Sequence, residues 1–260
     1  MPKMGVVSLL AFGSLEAAAM QNFASSYVPM KEEGKIDIPQ SIKHIKLDIG
    51  LSYNAPMSQY WLSNEENLWV FGIEPNQASV NTIQRGAVKR DLSHGKPLDP
   101  KHIGKDFFLI PCALGQHSGE LVKFYITKND PGCSSLYPPK YMEIEQIVEV
   151  PIFRLSDFLD LLPFDTHPVI DYIKIDAQGS DLDIVKSAGN YLKERVIYVT
   201  IEPENDQYEN VSNSENDIDC YMKKIGFIRF FSDNTSDLTY LNPKFLDYAQ
   251  ENKVKIYQKG

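Results

Sequence analysis

One stretch of the chain constrains the fold more than any other. Residues 169–188 read VIDYIKIDAQGSDLDIVKSA, where an aliphatic run ends at Asp176, a turn passes through Gly179, and apolar residues then recur at helical spacing. This pattern predicts a strand, a turn and a helix. Open α/β sheets bind ligands beyond the carboxyl ends of their strands, so we expect Asp176 at a ligand-binding rim. Ser180 and Asp181 are instead expected to cap the helix.

The same order of strand, turn and helix recurs along the chain. Repeated units of this kind predict an α/β fold with a mostly parallel, doubly wound sheet. A late pair of strand-like runs, residues 227–231 and 238–241, predicts an antiparallel hairpin at one edge of the sheet. The other runs that we expect to form strands are residues 45–50, 68–73, 107–110, 120–126, 148–153 and 195–201.

The composition describes a chain that can bury one sizeable core. It has 260 residues, of which 43% are hydrophobic and 23% are charged, and this favours one main domain. The formal net charge of -9 argues against a nucleic-acid partner, because phosphate binding requires clustered Lys and Arg. No stretch reaches the roughly 18 apolar residues that a membrane-spanning helix needs, so we predict no membrane span.

Cysteine usage favours a reducing compartment. Cys112, Cys133 and Cys220 are far apart and odd in number, which suits free thiols better than a disulfide framework or a zinc site. We therefore expect a cytoplasmic protein. The apolar residues 5–15 resemble a signal peptide weakly, although Glu16 interrupts the expected cleavage region, so secretion stays open as an alternative.

The strand ends indicate a ligand that contains a nucleoside. Glu74 follows the second core strand, where a carboxylate can accept hydrogen bonds from both ribose hydroxyls. After Gly50, side chains and Pro56 fill the turn that a dinucleotide pyrophosphate would need to approach closely. S-adenosylmethionine has no phosphate and carries a positive sulfonium, so a crowded turn beside Asp48 suits it better than it suits NAD.

Five segments, taken together, resemble one enzyme family. They are similar in sequence and in order to segments of the FkbM family of S-adenosylmethionine-dependent methyltransferases, over about residues 44–242. The resemblance implies a class I, Rossmann-like methyltransferase fold with a seven-stranded sheet, and an enzyme that methylates hydroxyl groups, often on sugars or glycans. The segments are LDIG at 47–50, VFGIEPN at 70–76, PCALG at 111–115, VPIFRLSDFL at 150–159 and YIKIDAQGSDLDIVKSA at 172–188.

The resemblance also implies which residues bind the cofactor. By position, Asp48 and Gly50 would flank the methionine part of S-adenosylmethionine, Glu74 would hold the ribose, and Ala113 would lie near the adenine. Asn54 stands where the family has the second glycine of this turn, and we include it among the cofactor-binding residues.

Other positions are implied to act on the acceptor. Asp176 and Glu202, at the ends of the fourth and fifth strands, would face the methyl-transfer site as candidate catalytic residues. Lys174 either pairs beside its strand or points to the rim as a candidate substrate-binding residue. Tyr137 is a second such candidate, because it stands in a Pro-rich loop of the kind that often carries recognition.

Several alternatives stay open at this point. The converging carboxylates could hold Mg²⁺, a cation that prefers oxygen ligands. The acceptor could be a molecule other than a sugar, and the chain could be an NAD(P)-dependent oxidoreductase or a cofactor-binding protein without catalysis. We expect residues 1–40 to form a peripheral N-terminal segment and residues 41–260 to form the methyltransferase domain; the oligomeric state is open.

Overall fold

A computed structural model gives the fold of most of the chain. The signal-like residues 5–15 lie outside the part that it describes, as does Lys89. The described residues are 18–86, 95–204, 206–230 and 237–255.

Ten strands in two sheets are found among these residues. The larger sheet has the order β3-β2-β1-β7-β8-β10-β9, and β10 is the one strand in it that runs opposite to the other six. The predicted seven-stranded, mostly parallel sheet with a C-terminal antiparallel hairpin is therefore confirmed. The strands are β1 (His44–Ile49), β2 (Leu68–Ile73), β3 (Phe107–Ile110), β4 (Ala113–Leu114), β5 (Glu120–Thr127), β6 (Ile144–Phe153), β7 (Ile170–Ile175), β8 (Val196–Ile201), β9 (Ile228–Phe230) and β10 (Leu238–Leu241).

The helices of the described residues lie between these strands and at the two ends of the chain. One of them, α3, ends at Arg85 and not near Lys89 as predicted, because Gly86 follows with a φ of +83° that leaves the helical region. None of the described helices has the length and apolar content that would let it cross a bilayer. The helices are α1 (residues 18–24), α2 (Pro56–Asn64), α3 (Gln77–Arg85), α4 (Leu155–Leu159), α5 (Asp181–Ser187), α6 (Tyr191–Arg195), α7 (Glu215–Lys224) and α8 (Leu246–Glu251).

Both faces of the larger sheet are covered by hydrophobic side chains. Successive side chains of a strand point to opposite faces. Ile45 and Leu47 of β1 accordingly belong to the cluster on one face, while Val70 of β2 and Tyr172 of β7 belong to the cluster on the other face. Burial on both faces explains why these strands have nearly continuous apolar runs, and it confirms the doubly wound arrangement.

The described part of the N-terminal segment is integral to the core. The sequence predicts that residues 1–40 are peripheral, yet five apolar side chains among residues 20–38 are at most 5% exposed and pack in the larger cluster. The backbone N–H of Ile36 also donates to the carbonyl of Leu161 at 2.8 Å. This segment covers apolar surface that water would otherwise reach, so we correct the predicted peripheral position. The buried residues are Met20, Ala24, Val28, Ile36 and Ile38.

The smaller sheet, which was not predicted as a separate sheet, has the order β4-β6-β5. It has its own small cluster, in which Ala113 packs with Phe124, Val150 and Ile152. Because β4 begins just after β3 ends, this sheet stands beside the carboxyl ends of the larger sheet.

Those carboxyl ends lie in one row. The last residues of β1, β2, β7 and β8 are all isoleucines, and the pairing registers place them opposite one another. The residues that follow these strands therefore meet at one rim. They are Gly50, Glu74, Asp176 and Glu202.

Candidate active site

The turn after β1 requires a glycine. Gly50 has a φ of +80°, and a Cβ added to it would lie 1.8 Å from the backbone oxygen of Asp176. The tips of β1 and β7 thus approach so closely that only a residue without a side chain fits between them. This contact fixes Asp176 relative to the first turn.

Asp48 anchors the helix that follows this turn. Ala55 is the N-cap of α2 and Pro56 stands in its first turn, but alanine has no side chain that can cap. Asp48 Oδ2 takes over that role, because it accepts hydrogen bonds from Ser58 N at 3.1 Å and Ser58 Oγ at 2.6 Å. Asp48 is buried, and burial raises the pKa of its carboxyl group.

Glu74 connects the turn after β1 to the residues that follow β2. Its two carboxyl oxygens accept hydrogen bonds from the backbone N–H groups of Leu51, at 3.1 Å, and Asn76, at 2.8 Å. Burial raises the pKa of Glu74 to about 8, against the lowering effect of these donors. Each carboxyl oxygen can accept a further bond, so Glu74 keeps capacity for a ligand hydroxyl.

A cavity of about 490 Å³, including its open mouth, lies between these tips and the smaller sheet. Glu74 and Asp176 contribute polar groups to its wall, while Ala113, Phe124 and Leu136 contribute apolar surface. Apolar walls with a few polar groups are typical of a cofactor site. We call it the cofactor cavity.

Asp176 and Glu202 form a hydrogen-bonded acidic pair beside this cavity. Burial alone would raise the pKa of Asp176, but the Lys174 ammonium, 2.7 Å from Asp176 Oδ2, and the hydrogen bond from Glu202 hold it well below its usual range. Burial and the neighbouring Asp176 charge raise the pKa of Glu202. The pair therefore shares one proton at neutral pH, with Asp176 ionised and Glu202 protonated.

A second, wider space adjoins the first. It measures about 1570 Å³ including its open mouth, and Gly50, Ser52 and Asp176 line both spaces. Lys174 and Glu202 line only this second space, which we call the acceptor cleft. The acidic pair thus stands where a ligand in the cavity and a ligand in the cleft would meet.

The structure brings eight of the nine predicted site residues together. Tyr137 is the exception, because its hydroxyl donates to Asp183 Oδ2 at 2.6 Å and its side chain lines a separate depression next to the smaller sheet. That depression shares Leu136 and Ser180 with the cofactor cavity and shares nothing with the acceptor cleft. The eight that line the cavity or the cleft are Asp48, Gly50, Asn54, Glu74, Ala113, Lys174, Asp176 and Glu202.

The turn after β7 is closed by one of the two residues predicted to cap. Asp181 accepts hydrogen bonds from the N–H groups of Ala177, at 2.9 Å, and Gly179, at 3.0 Å. These N–H groups precede α5, so Asp181 closes the turn before the helix, which differs from the predicted role of capping the helix's own N–H groups. Ser180 makes no capping hydrogen bond, so the capping role predicted for Ser180 is wrong.

Sequence reasoning missed Gln178, which contacts both members of the acidic pair. Its sequence position carries no signal, since glutamine in a turn fits many roles. The contact of Lys174 with Asp176 did have a signal, because residues two apart on a strand point to the same face.

The acidic pair does not fit a metal ion. Within residues 18–86, 95–204, 206–230 and 237–255, no group of three or more His, Cys, Asp or Glu side chains could hold one. The Lys174 ammonium also occupies the side of Asp176 that a cation would approach. The positive charge that balances the Asp176 carboxylate is the ammonium group of Lys174.

A family model identifies the family of this chain. The family model described as "Methyltransferase FkbM domain" matches residues 53–229. The N-terminal domain of human METTL16, solved in complex with SAH, is similar with 11% identity over 93% of this chain and 74% of that chain, at a TM-score of 0.35. No curated protein matches the chain. The chain therefore belongs to the FkbM methyltransferase family and is an S-adenosylmethionine-dependent methyltransferase.

Proposed function

We propose that this enzyme transfers the methyl group to a hydroxyl of a sugar or glycan, and that Asp176 takes the hydroxyl proton. The observation that carries the proposal is the position of the acidic pair, at the junction of the cofactor cavity and the acceptor cleft. One ionised and one protonated carboxyl group at that point can accept a hydrogen bond from one acceptor hydroxyl and donate one to another.

The cofactor cavity fits S-adenosylmethionine through groups of this chain. Glu74 would accept bonds from the ribose hydroxyls, and Ala113 would lie against the adenine. Asn54 lines the acceptor cleft, and its buried side-chain amide has no hydrogen-bond partner among the described residues, so it would offer a donor and an acceptor to an amino-acid end of the cofactor that reaches past Gly50 into the cleft. When bound, the cofactor supplies a methyl group activated by a positive sulfonium, which the Asp176 carboxylate would face.

The low pKa of Asp176 is compatible with proton acceptance. Asp176 first orients the acceptor hydroxyl in line with the methyl group, and alignment of this kind is worth effective molarities of about 10⁵ to 10⁸ M. As the C–O bond forms and the S–C bond breaks, the hydroxyl becomes a protonated ether, which is a far stronger acid than any carboxylic acid. The proton then passes to Asp176, while Lys174 keeps Asp176 ionised until that moment.

The walls of the cleft suit an acceptor with many hydroxyl groups. Ser52, Gln59 and Ser63 provide short polar side chains along it. Tyr60 contributes an aromatic ring to the same wall and is 44% exposed, and the apolar face of a sugar ring can pack on such a ring. This combination of hydroxyl, amide and aromatic groups favours a saccharide over an apolar acceptor.

The proposal is tested by methyl transfer from labelled S-adenosylmethionine to a panel of saccharides and amines. We expect label on a saccharide hydroxyl, and a loss of about 10² to 10⁴ in kcat for Asp176→Asn with cofactor binding retained in calorimetry. The matched control is Asp165→Asn, because Asp165 is exposed just before β7, at the opposite edge of the sheet. Full activity of Asp176→Asn, or label on amines alone, would overturn the proposal.

A further inference from the structure

One side chain joins the two carboxyl groups of the acidic pair. Gln178 Nε2 lies 2.8 Å from Asp176 Oδ1 and 2.9 Å from Glu202 Oε2. An amide nitrogen has two hydrogens, so it can donate one bond to each carboxyl group. Gln178 therefore fixes the orientation of Asp176 and Glu202 relative to each other.

The orientation of this amide is set by a tyrosine from another loop. The Tyr208 hydroxyl lies 2.8 Å from Gln178 Oε1 and donates to it, so the amide oxygen faces Tyr208 and the nitrogen faces the acidic pair. In the reversed orientation, the amide oxygen would face two carboxyl groups that share a single proton, which is electrostatically unfavourable. The same hydroxyl also lies 2.9 Å from the backbone oxygen of Cys133, and because a hydroxyl has a single hydrogen, these two acceptor oxygens share it.

The backbone of Gln178 is held as firmly as its side chain. Its φ is +52°, a left-handed conformation that costs glutamine about 1 kcal/mol or more. The hydroxyl of Ser135 donates to the carbonyl of Gln178 at 2.6 Å. Strain that the surroundings maintain in this way is characteristic of functional positions.

Gln178 and Tyr208 differ in whether they line a ligand-binding space. Gln178 lines the cofactor cavity, whereas Tyr208 is 2% exposed and lines neither the cavity nor the cleft. A change at Tyr208 can therefore disturb the amide without altering either binding surface.

We propose that Gln178 is a positioning residue for methyl transfer, because its amide, held by Tyr208, keeps the carboxyl groups of Asp176 and Glu202 turned toward the acceptor cleft. The inference rests on the proposed function, since it requires Asp176 to take the proton of the acceptor. Two N–H donors favour the singly protonated pair over the doubly protonated pair. Without them, Asp176 becomes protonated at a higher pH.

The test therefore includes the dependence of kcat on pH. Protonation of Asp176 sets the acid limb of that profile, and the limb is expected to move to higher pH when the amide is lost or released. The charged and titratable groups that face the pair are Lys174 on β7, Asp48 on β1, Glu74 after β2, Cys133 between β5 and β6, Asp181 on α5, Glu204 and Tyr208 on the loop after β8, and, facing Lys174, Asp237 before β10.

Two variants separate positioning from folding. In Tyr208→Phe, which removes only the hydroxyl, we expect kcat to fall about tenfold, the KM for S-adenosylmethionine to stay within about twofold, and the acid limb to move upward. In Gln178→Glu, a third carboxyl group replaces the amide, and we expect a loss of about a hundredfold and a shift of roughly one pH unit or more.

Matched controls use the same residue types at exposed positions away from the acidic pair. Tyr141→Phe removes a hydroxyl that bonds Asp206 on the exposed side of the loops, and Gln146→Glu adds a carboxylate at an exposed position of β6. Both are expected to keep the kcat and pH profile of the unchanged enzyme.

The inference is overturned if Tyr208→Phe matches the unchanged enzyme in kcat and pH profile while Asp176→Asn is inactive, and the proposed function then stands. It is also overturned if kcat falls only in step with the melting temperature and the pH profile does not move. If Asp176→Asn keeps full activity, the proposed function fails, and the inference fails with it.

Discussion

The Gly50→Ala substitution probes the close contact between the carboxyl ends of β1 and β7. The added Cβ would lie 1.8 Å from the backbone oxygen of Asp176, whereas real Cβ atoms essentially never approach closer than 3.0 Å. The two backbones must therefore separate by about 1.2 Å, the difference between these distances. A displacement of about 1 Å at a reacting group can cost about a hundredfold in rate.

The same substitution has two separate costs to stability. Alanine at positive φ costs about 1 to 2 kcal/mol, and forcing an extra atom into a packed site costs about 1 to 3 kcal/mol more. Gly104→Ala is the matched control, because Gly104 has a φ of +76° and nothing lies within 4 Å of an added Cβ. Only the first cost applies there.

The assays are urea denaturation for the free energy of unfolding and calorimetry with S-adenosylmethionine. We expect Gly50→Ala to lose about 2 to 5 kcal/mol and most of its cofactor binding and activity, and Gly104→Ala to lose about 1 to 2 kcal/mol with both retained. Equal stability of the two variants, together with normal cofactor affinity of Gly50→Ala, would refute the close approach of the two tips.

Two further predictions concern buried charges. Burial raises the pKa of Glu204 to about 7 from 4.5, so the folded chain binds more protons than the unfolded chain between these pH values, and its stability falls as pH rises through that window. The expected loss in the free energy of unfolding is roughly 3 kcal/mol. Urea titrations at several pH values should show a smaller loss in Glu204→Gln. An unchanged dependence of the unfolding free energy on pH in this variant would contradict the assignment of the effect to Glu204. Lys46 and Glu65 form a buried ion pair of 2.6 Å, so Lys46→Met should lose about 3 to 5 kcal/mol by leaving Glu65 unpaired, and the double variant Lys46→Met, Glu65→Leu should recover much of it. No recovery in the double variant would show that the loss has another cause.

The strand tips could be predicted because their signals are local. The alternation in β1 and the apolar run of β7 fix which residue ends each strand, and parallel strands bring their carboxyl ends to one edge. Asp176 and Glu202 were therefore expected near each other, and the structure places a hydrogen bond between them.

The loops could not be predicted because their positions depend on distant contacts. Tyr137 is drawn away from the acceptor cleft by Asp183, a residue on α5 that is remote in sequence. Gln178 acquires its position from Tyr208 and Ser135, which come from two different loops. Such contacts form only once the sheet has brought the loops together, and no local pattern reports them.

The burial of the N-terminal segment also could not be predicted from the local sequence. Polar residues and a glycine around position 33 indicate an exposed segment, and Gly34 does adopt a turn conformation with a φ of +82°. The flanking Ile36 is nevertheless fully buried. Which apolar residues reach the core is decided by the sheet face that needs covering, and a short polar stretch does not reveal that.

A crystal structure of the enzyme with S-adenosylhomocysteine tests the central claim most directly, namely that four strand tips form one site for cofactor and acceptor. We predict that the ribose hydroxyls contact Glu74, that the adenine lies against Ala113, and that the sulfur faces the Asp176 carboxylate at the mouth of the acceptor cleft. A ligand bound outside the cofactor cavity, or one whose sulfur points away from Asp176 and the cleft, would contradict the account.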